Sequence, residues 1–398
     1  MQAVIYCGGF GSRLGNKTKK IPKPILKINQ KPFLYYVIKN LERFGVKEVL
    51  LLTYFQHEKI KKFVNESNFK KIKISLIREK KKLGTAGSLK NAKRYLKKEF
   101  FLLNGDTFFN FNILDLKKKY HQKGNICLAM ALSVNKKKRF KPISINKNSN
   151  FLISSKKYSS NFINAGFYYV SKKILKYINK NNFSLEDEVF SKLITDKQAI
   201  GEIYADKRNL FIDIGVPKDF AKAAKTLKKI NAKKTVFLDR DGVINYDYGY
   251  VHTVNKFKWK KKVIEFIKFL NDRDCYIFVV SNQSGVGRGY YNIKKVFYLH
   301  EWINKKLIMY GAHIDEFYIA CYFKNSKNYS SKVEYKRRKP NIGMINEAKK
   351  NWMINESKSL LIGDNKIDIQ TAKNAKIKNH ILLVKDNIYS FKNNKFFK

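Results

Sequence analysis

The chain has 398 residues and a formal charge of +52, from 83 Lys and Arg against 31 Asp and Glu. At roughly 150 residues per domain this length predicts two or three domains, and the 44% hydrophobic content excludes a disordered basic tail. No apolar run approaches the ~18 residues that a spanning helix needs, so the sequence excludes a transmembrane protein.

Short apolar runs alternate with longer mixed segments in the first half of the chain. The predicted strands are 3–6, 49–54, 72–77, 100–103, 126–132, 166–170 and 210–212. Helical spacing marks 33–44, 187–194 and 219–227. The polar stretch 228–234 then predicts a boundary, which gives domains at 1–230 and 234–390.

The second half repeats the alternation of strands and helices. Its predicted strands are 235–238, 276–280, 317–320, 359–362 and 380–384. Both halves therefore have the pattern of an α/β fold with a mostly parallel sheet. We expect the last residues, 386–398, to be frayed.

The cysteines lie far apart and form no CxxC pair; they are Cys7, Cys127, Cys275 and Cys321. This spacing predicts neither a disulfide scaffold nor a cysteine-rich zinc module, and it fits a reducing compartment. The first residues lack the charged and apolar segments of a secretion signal. We therefore expect a cytoplasmic protein without a membrane partner.

The positive charge comes mainly from lysines that are spread along the whole chain, in short runs such as 80–82 and 117–119. No zinc-finger or RNA-recognition pattern surrounds these runs, which favours a solvated surface over a nucleic-acid site. A field of this sign attracts nucleotides and sugar phosphates, and the attraction weakens with salt. A basic nucleic-acid-binding protein with a vestigial active site is the alternative from another functional class.

A glycine-rich loop follows the first predicted strand, with Gly8, Gly9 and Gly11 before Arg13. Glycines let backbone N–H groups approach an anion closely, and arginine adds a forked cation. The loop is not a Walker motif, because no Gly-Lys-Ser/Thr follows it. Farther along, Lys23 stands between two prolines that would fix the direction of its ammonium group.

Two aspartates close apolar runs in this half, Asp106 in the motif NGD and Asp213 in DIGVP. Ligands of open α/β sheets bind at the carboxyl ends of the strands. Two carboxylates at that edge could share a Mg2+ ion that carries nucleotide phosphates.

The motifs GGFGSRL, PKP, LGTAG, NGD, NAG and DIGVP, in this order, resemble the sugar-1-phosphate nucleotidylyltransferase family over residues 1–228. The likeness is greatest to members that use GTP with mannose 1-phosphate or D-glycero-D-manno-heptose 1-phosphate. It implies in-line attack of a sugar phosphate oxygen on the α-phosphorus with release of pyrophosphate. Catalysis is then mainly positioning and charge neutralisation.

This resemblance also implies roles for individual residues. Lys23 and Arg13 are the catalytic cations, and Asp106 and Asp213 hold Mg2+. The implied nucleotide-binding set, besides Arg13, is Gly8, Gly9, Gly11, Leu83, Gly84 and Gly87. The implied sugar-binding set is Asn164, Gly166 and Glu186, with Lys156 or Lys157 on the sugar phosphate.

A pair of aspartates, Asp239 and Asp241, follows the first predicted strand of the second half. Residues i and i+2 of an extended segment face the same side, so the two carboxyl groups can share one site. One carboxylate can attack phosphorus while its partner donates a proton and a metal neutralises charge. Later strand ends carry further polar groups, which are Ser281, Asn282, Arg338, Lys339, Asp364 and Asp368.

The motifs DRDGVIN, SNQSGVGRG, RKP and GDNKID resemble the haloacid dehalogenase-like phosphatases over 234–385, in the histidinol-phosphate and heptose-bisphosphate branch. This resemblance implies that Asp239 takes the phosphoryl group and that Asp241 protonates the leaving alkoxide. The implied phosphate contacts are Ser281, Asn282, Arg338 and Lys339. The implied Mg2+ ligands are Asp239, Asp364 and the backbone carbonyl of Asp241.

Two departures from large family members shape the expected architecture. Only 42 positions separate Asp239 from Ser281, which is too few for a large inserted cap. Cys321 lacks the partners of the zinc loop found in many members of this branch, and one thiol cannot make a tetrahedral site, so we expect no structural zinc. The expected fold is two Rossmann-like α/β domains, a nucleotidyltransferase fold and a capless haloacid dehalogenase-like fold.

Together the two resemblances predict a bifunctional enzyme of nucleotide-activated heptose biosynthesis. The second half would remove the 7-phosphate of D-glycero-D-manno-heptose 1,7-bisphosphate, and the first would join GMP from GTP to the 1-phosphate. The expected partners are a nucleoside triphosphate and sugar phosphates, with Mg2+ in both halves and no nucleic acid. The alternative enzyme is a mannose 1-phosphate or other hexose 1-phosphate nucleotidyltransferase fused to a phosphatase of different specificity.

Overall fold

The computed structural model describes residues 1–134, 140–153, 161–179, 183–231, 233–384 and 387–397. The chain divides into two compact units, Met1–Lys228 and Lys229–Lys398. Lys156 and Lys157, the expected contacts of the sugar phosphate, lie outside the described residues. Within the described ranges, no helix is long and apolar enough to cross a membrane.

A sheet of seven described strands forms the centre of the first unit. The strands are β1 (Gln2–Tyr6), β2 (Glu48–Thr53), β3 (Lys73–Arg78), β4 (Glu99–Asn104), β5 (Leu128–Val134), β6 (Phe162–Ser171) and β7 (Ala199–Ile203). They lie in the order β7-β5-β6-β4-β1-β2-β3, and β6 runs antiparallel to β4 and β5 while the other neighbours are parallel. Strands β1, β2 and β4 are buried almost throughout, as strands covered on both faces must be.

Helices cover this sheet; those described are Asn16–Lys19, Phe33–Arg43, His57–Glu66, Gly84–Asn91, Ile113–Lys123, Phe190–Thr195 and Pro217–Asn231. The helix Phe33–Arg43 shows why such segments pack on the sheet. Its buried apolar residues form one stripe, Phe33, Leu34, Val37, Ile38 and Leu41. Short antiparallel pairs join Thr107–Phe109 to Phe211–Asp213, Lys27–Ile28 to Lys31–Pro32, and Ser144–Ile145 to Leu152–Ile153.

Strand β6 begins earlier than the predicted 166–170, and a bulge lies inside it. Its register against β5 shifts between Asn164 and Tyr168, and Gly166 has a φ of +65°. A Cβ atom at Gly166 would lie 2.7 Å from Nδ2 of Asn104, so glycine is required here. The bulge breaks the alternation of side chains, which hid the first part of the strand.

In the second unit, five described strands form a sheet in which all neighbours are parallel. They are β8 (Lys233–Leu238), β9 (Tyr276–Asn282), β10 (Glu316–Ala320), β11 (Ile354–Gly363) and β12 (Asn379–Leu382), in the order β10-β9-β8-β11-β12. Successive side chains of β8 point to opposite faces of the sheet, where they belong to two different hydrophobic cores. Val236 packs in the same core as Val279, and Phe237 packs in the same core as Phe278. The predicted α/β class with mostly parallel sheets is confirmed in both units.

The C-terminal segment is docked, so the expectation that 386–398 would be frayed is wrong for its described residues. Ile388 and Phe397 are buried in the core that contains Val236. The ring of Phe397 packs edge-on against Phe266, with 5.9 Å between centroids. The apolar residues of this segment follow no helical or strand period, which is why their burial was not predicted. The helices of this unit in the described ranges are Val263–Asp272, Ser284–Gly287, Ile293–Met309, Lys332–Arg337, Gly343–Asn351 and Lys366–Asn374.

Candidate active sites

The glycine-rich loop begins where β1 ends, at the carboxyl edge of the first sheet. Gly8 passes close to the end of β2, since a Cβ atom there would lie 3.1 Å from Cβ of Tyr54. Gly11 has a φ of +69°, and its carbonyl accepts a 2.9 Å hydrogen bond from the Thr18 hydroxyl. Gly9 and Arg13 are exposed. The loop is thus tight at its base and open at its tip, as a phosphate-binding loop must be.

Lys23 and Asp106 form a short ion pair near this loop. Nζ of Lys23 lies 2.7 Å from Oδ2 of Asp106, and the lysine side chain is 9% exposed. Asp213 lies on the short strand that pairs with the segment directly after Asp106, and the N–H of Ile214 donates to the Asp106 carbonyl at 3.0 Å. The structure therefore places the segments that carry the lysine and both aspartates at one edge of the sheet.

Asp106 and Asp213 offer the carboxylate oxygens that Mg2+ prefers. The carboxylate of Asp213 is oriented by the N–H of Gly215, which donates to Oδ1 at 2.5 Å. Two carboxylates are enough for this metal, because Mg2+ keeps several waters and takes phosphate oxygens from the substrate. The residues at this edge therefore fit a magnesium-bound nucleotide.

Asn164, Tyr168 and Glu186 form a hydrogen-bonded group at the bulge of β6. Nδ2 of Asn164 donates to the Tyr168 hydroxyl at 2.7 Å, and that hydroxyl donates to Oε1 of Glu186 at 3.0 Å. Oδ1 of Asn164 accepts from the N–H of Gly166 at 2.8 Å. Burial and the Glu186 carboxylate raise the pKa of Tyr168, so its hydroxyl stays protonated. The family resemblance implied Asn164, Gly166 and Glu186, but it gave no sign of Tyr168.

The LGTAG motif starts the helix Gly84–Asn91 and contacts the segment before Glu186. Gly84 has a φ of +66°, and a Cβ atom there would lie 2.5 Å from the carbonyl oxygen of Phe183. Gly87 is buried inside the helix. Leu83 stands just before the helix, and its N–H donates to Oε2 of Glu79 at 3.3 Å.

Glu79 is a buried carboxylate beside the glycine-rich loop that sequence reasoning missed. It is 6% exposed, and Oε1 accepts a 2.6 Å hydrogen bond from the Ser88 hydroxyl. The same Oε1 would lie 3.6 Å from a Cβ atom at Gly8. Burial raises the pKa of Glu79, while the hydrogen bonds from Ser88 and Leu83 lower it. The available signal was a carboxylate directly after β3 and just before LGTAG.

In the second unit, Lys339 lies between two carboxylates. Its Nζ is 2.8 Å from Oδ1 of Asp239 and 2.6 Å from Oδ1 of Asp368, and its side chain is 4% exposed. Asp239, Asp364 and Asp368 each offer an oxygen within 4.8 Å of the others. The expected nucleophile, cation and acidic residues therefore converge where β8 and β11 end.

The charges in this cluster depend on one another. Burial raises the pKa of Asp239 to about 7, against the Lys339 ammonium, which lowers it. Burial also raises the pKa of Asp364, with a further contribution from Asp368. Burial lowers the pKa of Lys339, but Asp239 and Asp368 outweigh it and raise that pKa overall. The cluster has three carboxyl groups and only one ammonium group, so ionisation of the carboxyl groups favours the binding of another cation.

This set of oxygen donors fits Mg2+. Gly242 has a φ of +82°, and a Cβ atom there would lie 1.8 Å from Oδ2 of Asp364, so only glycine lets the loop after β8 approach that carboxylate. The group that the structure brings together contains Asp368 and not the carboxylate of Asp241. A metal contact from the backbone carbonyl of Asp241 stays a prediction.

The Asp241 carboxylate is held by three side chains of its own. Arg240 Nη2 donates to Oδ2 at 2.8 Å, Asn245 Nδ2 to Oδ1 at 2.9 Å, and Gln283 Nε2 to Oδ2 at 3.1 Å. Gln283 also donates to the Ser281 hydroxyl at 2.9 Å, which ties the predicted phosphate contact to the predicted acid. Arg240 and Gln283 lie inside the recognised motifs, yet their roles become visible only in the fold.

Asn282 and Arg338 contact the main chain rather than an open site. Asn282 Oδ1 accepts from the N–H of Lys339 at 3.0 Å, and its Nδ2 donates to the Lys339 carbonyl at 3.3 Å. Arg338 Nη1 donates to the Tyr322 carbonyl at 3.4 Å. Asn282 therefore positions Lys339, and direct phosphate contacts by Asn282 and Arg338 stay predictions.

A helix packs against the segment around Cys321. Cys321 is buried with a free thiol, like the other three cysteines. Its N–H donates to Oε2 of Glu334 at 3.3 Å, and Arg337 Nη2 donates to the Ile319 carbonyl at 2.8 Å. The helix Lys332–Arg337 thus contacts the end of β10 through its own side chains.

Comparison with known proteins assigns the first half. The model of the nucleotidyl transferase family matches residues 2–230, more than half of the chain. The chain belongs to the nucleotidyl transferase family. This nucleotidyl transferase is 37% identical over 226 residues to D-glycero-alpha-D-manno-heptose 1-phosphate guanylyltransferase of Campylobacter jejuni, covering 55% of this chain and 97% of the relative. The crystal structure of HddC from Yersinia pseudotuberculosis complexed with GMP-PN is 31% identical, covers 57% of this chain and 99% of that chain, and has a TM-score of 0.49.

The second half of the nucleotidyl transferase carries a phosphatase domain. The model of the polynucleotide kinase 3 phosphatase family matches residues 234–382. Over 145 residues the chain is 37% identical to D-glycero-beta-D-manno-heptose-1,7-bisphosphate 7-phosphatase of Rhodopseudomonas palustris, covering 36% of this chain and 81% of the relative. This half therefore belongs to the family of that phosphatase, and both resemblances drawn from the motifs are confirmed.

Mg2+ binding to the phosphatase site should strengthen with pH. The metal needs the ionised carboxylate of Asp239, whose pKa is raised to about 7 by burial, so a proton must leave when the metal binds below that pH. We expect the affinity, measured calorimetrically on the Asp106→Asn chain, to rise about tenfold between pH 6 and pH 8 and then to level off. Adding Asp239→Asn should weaken binding and remove the pH dependence. A Mg2+ affinity that stays the same from pH 6 to pH 8 while Asp239 is intact would contradict the argument.

Proposed function

We propose that this chain is a bifunctional enzyme that converts a heptose bisphosphate into a nucleotide-activated heptose. The second half removes the 7-phosphate of D-glycero-D-manno-heptose 1,7-bisphosphate. The first half then transfers GMP from GTP to the heptose 1-phosphate and releases pyrophosphate. The four buried, free thiols support a place in the reducing cytoplasm.

One observation carries this proposal: the two halves lie in one chain, and the substrates in their relatives' names are a heptose 1,7-bisphosphate and a heptose 1-phosphate, which differ by the 7-phosphate and by the anomer at C1. The relative of the second half is a 7-phosphatase of a heptose 1,7-bisphosphate, and the relative of the first half is a heptose 1-phosphate guanylyltransferase. The product of the first reaction is a heptose 1-phosphate. Fusion keeps the two activities in equal number and raises the local concentration of the intermediate.

The fusion also indicates the anomer. The guanylyltransferase relative is named for the alpha anomer and the phosphatase relative for the beta anomer. Removal of the 7-phosphate leaves the bond at C1 untouched, so both halves must work on the same anomer if they act in sequence. We infer that the phosphatase half accepts the alpha anomer, as the transferase half requires.

In the transferase half, a sugar phosphate oxygen attacks the α-phosphorus of the nucleotide in line. The bond to the β-phosphate oxygen breaks, and pyrophosphate leaves with the electron pair. The glycine-rich loop receives the phosphates through backbone N–H groups. Lys23, held by Asp106, stabilises the negative charge of the transition state. Mg2+ held by Asp106 and Asp213 would add further positive charge.

In the phosphatase half, Asp239 attacks the phosphorus of the 7-phosphate. The bond from phosphorus to the sugar oxygen breaks, and Asp241 gives that oxygen a proton. Water then attacks the phosphorylated Asp239, Asp241 accepts its proton, and inorganic phosphate leaves. Lys339 orients Asp239 and balances the charge of the phosphoryl oxygens. Mg2+ held by Asp239 and Asp364 would supply the remaining neutralisation.

Glu79 supports GTP as the nucleotide. Guanine differs from adenine in presenting N–H donors on N1 and on the exocyclic N2. A carboxylate is the matching acceptor, and each oxygen of Glu79 has a lone pair beyond the one used by Ser88 or Leu83. Glu79 also lies between the glycine-rich loop and the LGTAG helix, where the nucleotide is expected. We therefore propose that Glu79 reads the guanine edge.

A substrate panel tests the proposed function. The purified chain is given the alpha and beta heptose 1,7-bisphosphates, mannose 1-phosphate, a 3′-phosphorylated oligonucleotide and each of four nucleoside triphosphates. We expect phosphate release from the alpha heptose bisphosphate, followed by pyrophosphate release with GTP. A preference for mannose 1-phosphate would favour the hexose alternative, and phosphate release from the oligonucleotide alone would overturn the sugar phosphatase.

Single substitutions should separate the two activities. Asp239→Asn removes the nucleophile of one site, so phosphate release should be lost while pyrophosphate release from heptose 1-phosphate stays within about twofold. Asp106→Asn should lower pyrophosphate release by at least about a hundredfold and spare phosphate release. Both rates are measured on the same preparation. Loss of both activities after either substitution in a folded chain would show that the sites are not independent.

Glu79→Gln should weaken the preference for guanine. The change keeps the size of the side chain and an acceptor for Ser88, but replaces one acceptor by a donor that opposes the guanine N–H groups. A bidentate contact of this kind is worth about 1–3 kcal/mol, so kcat/KM with GTP should fall about 10- to 100-fold relative to ATP. The exposed Glu66→Gln serves as the matched control. An unchanged ratio of GTP to ATP would remove Glu79 from base selection.

A further inference from the structure

In the sequence, Arg240 lies between the two catalytic aspartates, Asp239 and Asp241. Its side chain is completely buried. Its Nη2 donates to both oxygens of Asp241, at 2.9 and 2.8 Å, and its Nε donates to Oδ1 at 3.2 Å. Nη2 also donates to the carbonyl of Val251. Burial of an unpaired cation carries a large desolvation penalty, so a guanidinium persists here only because acceptors surround it.

His300 supplies the acceptor on the other side of this guanidinium. Its Nε2 lies 3.3 Å from Nη1 of Arg240. A guanidinium only donates, so Nε2 must accept and the ring carries its proton on Nδ1. Burial and the charge of Arg240 lower the pKa of His300 well below its usual value, which keeps the ring neutral. The ring also stacks on Phe317, with 4.3 Å between centroids and 16° between planes.

We propose that His300 and Arg240 are positioning residues for Asp241, the proton donor of the phosphatase reaction proposed above. His300 lies 59 residues beyond Asp241 in the chain, on the helix Ile293–Met309. It acts through Arg240, because its ring bonds the guanidinium that in turn grips both oxygens of the carboxylate. The inference rests on the proposed phosphatase reaction.

Asp241 needs such support because of where it stands. It follows the end of β8, its neighbour Gly242 has a φ of +82°, and its side chain is 19% exposed. A carboxylate at the rim of a turn can rotate toward solvent unless it is anchored. His300 accepts from Nη1, and the Val251 carbonyl accepts from Nη2, the nitrogen that also bonds Asp241, so the guanidinium is held in one orientation against that carboxylate. The arrangement directs the carboxyl group at the oxygen that leaves phosphorus.

The role predicts a dependence on the leaving group. A sugar alkoxide must receive a proton as its bond to phosphorus breaks, and misplacement of the acid slows that step. A p-nitrophenolate leaves as a stable anion and takes no proton from Asp241. Loss of the support should therefore slow hydrolysis of an alkyl phosphate far more than transfer from an aryl phosphate. A general loss of folding would slow both alike.

Two substitutions of His300 separate the hydrogen bond from the stacking. His300→Phe keeps a ring against Phe317 and removes the acceptor, whereas His300→Gln keeps an acceptor near the position of Nε2 and removes the ring. The full chain is assayed with the sugar bisphosphate, glycerol phosphate and p-nitrophenyl phosphate, and rates are expressed per site titrated with orthovanadate. Pyrophosphate release by the transferase half is the internal control.

For His300→Phe we expect kcat on both alkyl phosphates to fall at least about tenfold, with KM within about twofold. Its kcat/KM on p-nitrophenyl phosphate should stay within about threefold, and His300→Gln should stay within about threefold on every substrate. Equal losses on alkyl and aryl phosphates, full activity of His300→Phe, or failure of glutamine to rescue would each overturn the proposal. If the unsubstituted chain hydrolyses glycerol phosphate but not the heptose bisphosphate, the substrate assignment fails while the role of His300 is still decided. Absence of hydrolysis of all three would overturn both.

Discussion

An ammonium group fixed against carboxylates at the end of a sheet is the interaction on which both sites depend. Lys23 meets Asp106 in the transferase half, and Lys339 lies between Asp239 and Asp368 in the phosphatase half. Buried ion pairs pay a desolvation cost that often cancels their attraction, so stability alone does not explain them. Their value is preorganisation: the charges that a phosphoryl group needs are in place before it arrives.

The parallel sheets make this arrangement possible, because every parallel strand delivers its following residue to the same edge. In the phosphatase half, Asp239 follows β8 and Asp364 follows β11. Asn282 ends β9 and bonds both main-chain groups of Lys339, so a separate loop is tied to the same edge. In the transferase half, the bulge at Gly166 serves the same purpose, since it brings Asn164 and Tyr168 together beside Glu186.

The sequence predicted the fold class and the motif residues because both are local signals. Continuous apolar runs mark buried strands, and short motifs follow them, DRDG directly after β8 and LGTAG after a gap of four residues from the end of β3. The supporting contacts could not be predicted in the same way. Glu79 with Ser88, and Arg240 with His300, are joined only by tertiary packing. The docked Phe397 was missed for a related reason, since a single aromatic side chain carries no period.

The partners of Lys339 also bear on turnover among competing anions. A chain with a charge of +52 draws RNA, free nucleotides and inorganic phosphate toward its surface. An uncompensated ammonium group in a closed pocket would retain such ions and block the next cycle. In the proposed reaction, Lys339 would exchange phosphate oxygens for Asp239 and Asp368 as the phosphate departs. Because Lys339 already has carboxylate partners, departure of the phosphate would leave no unpaired buried cation to hold the product in this strongly basic chain.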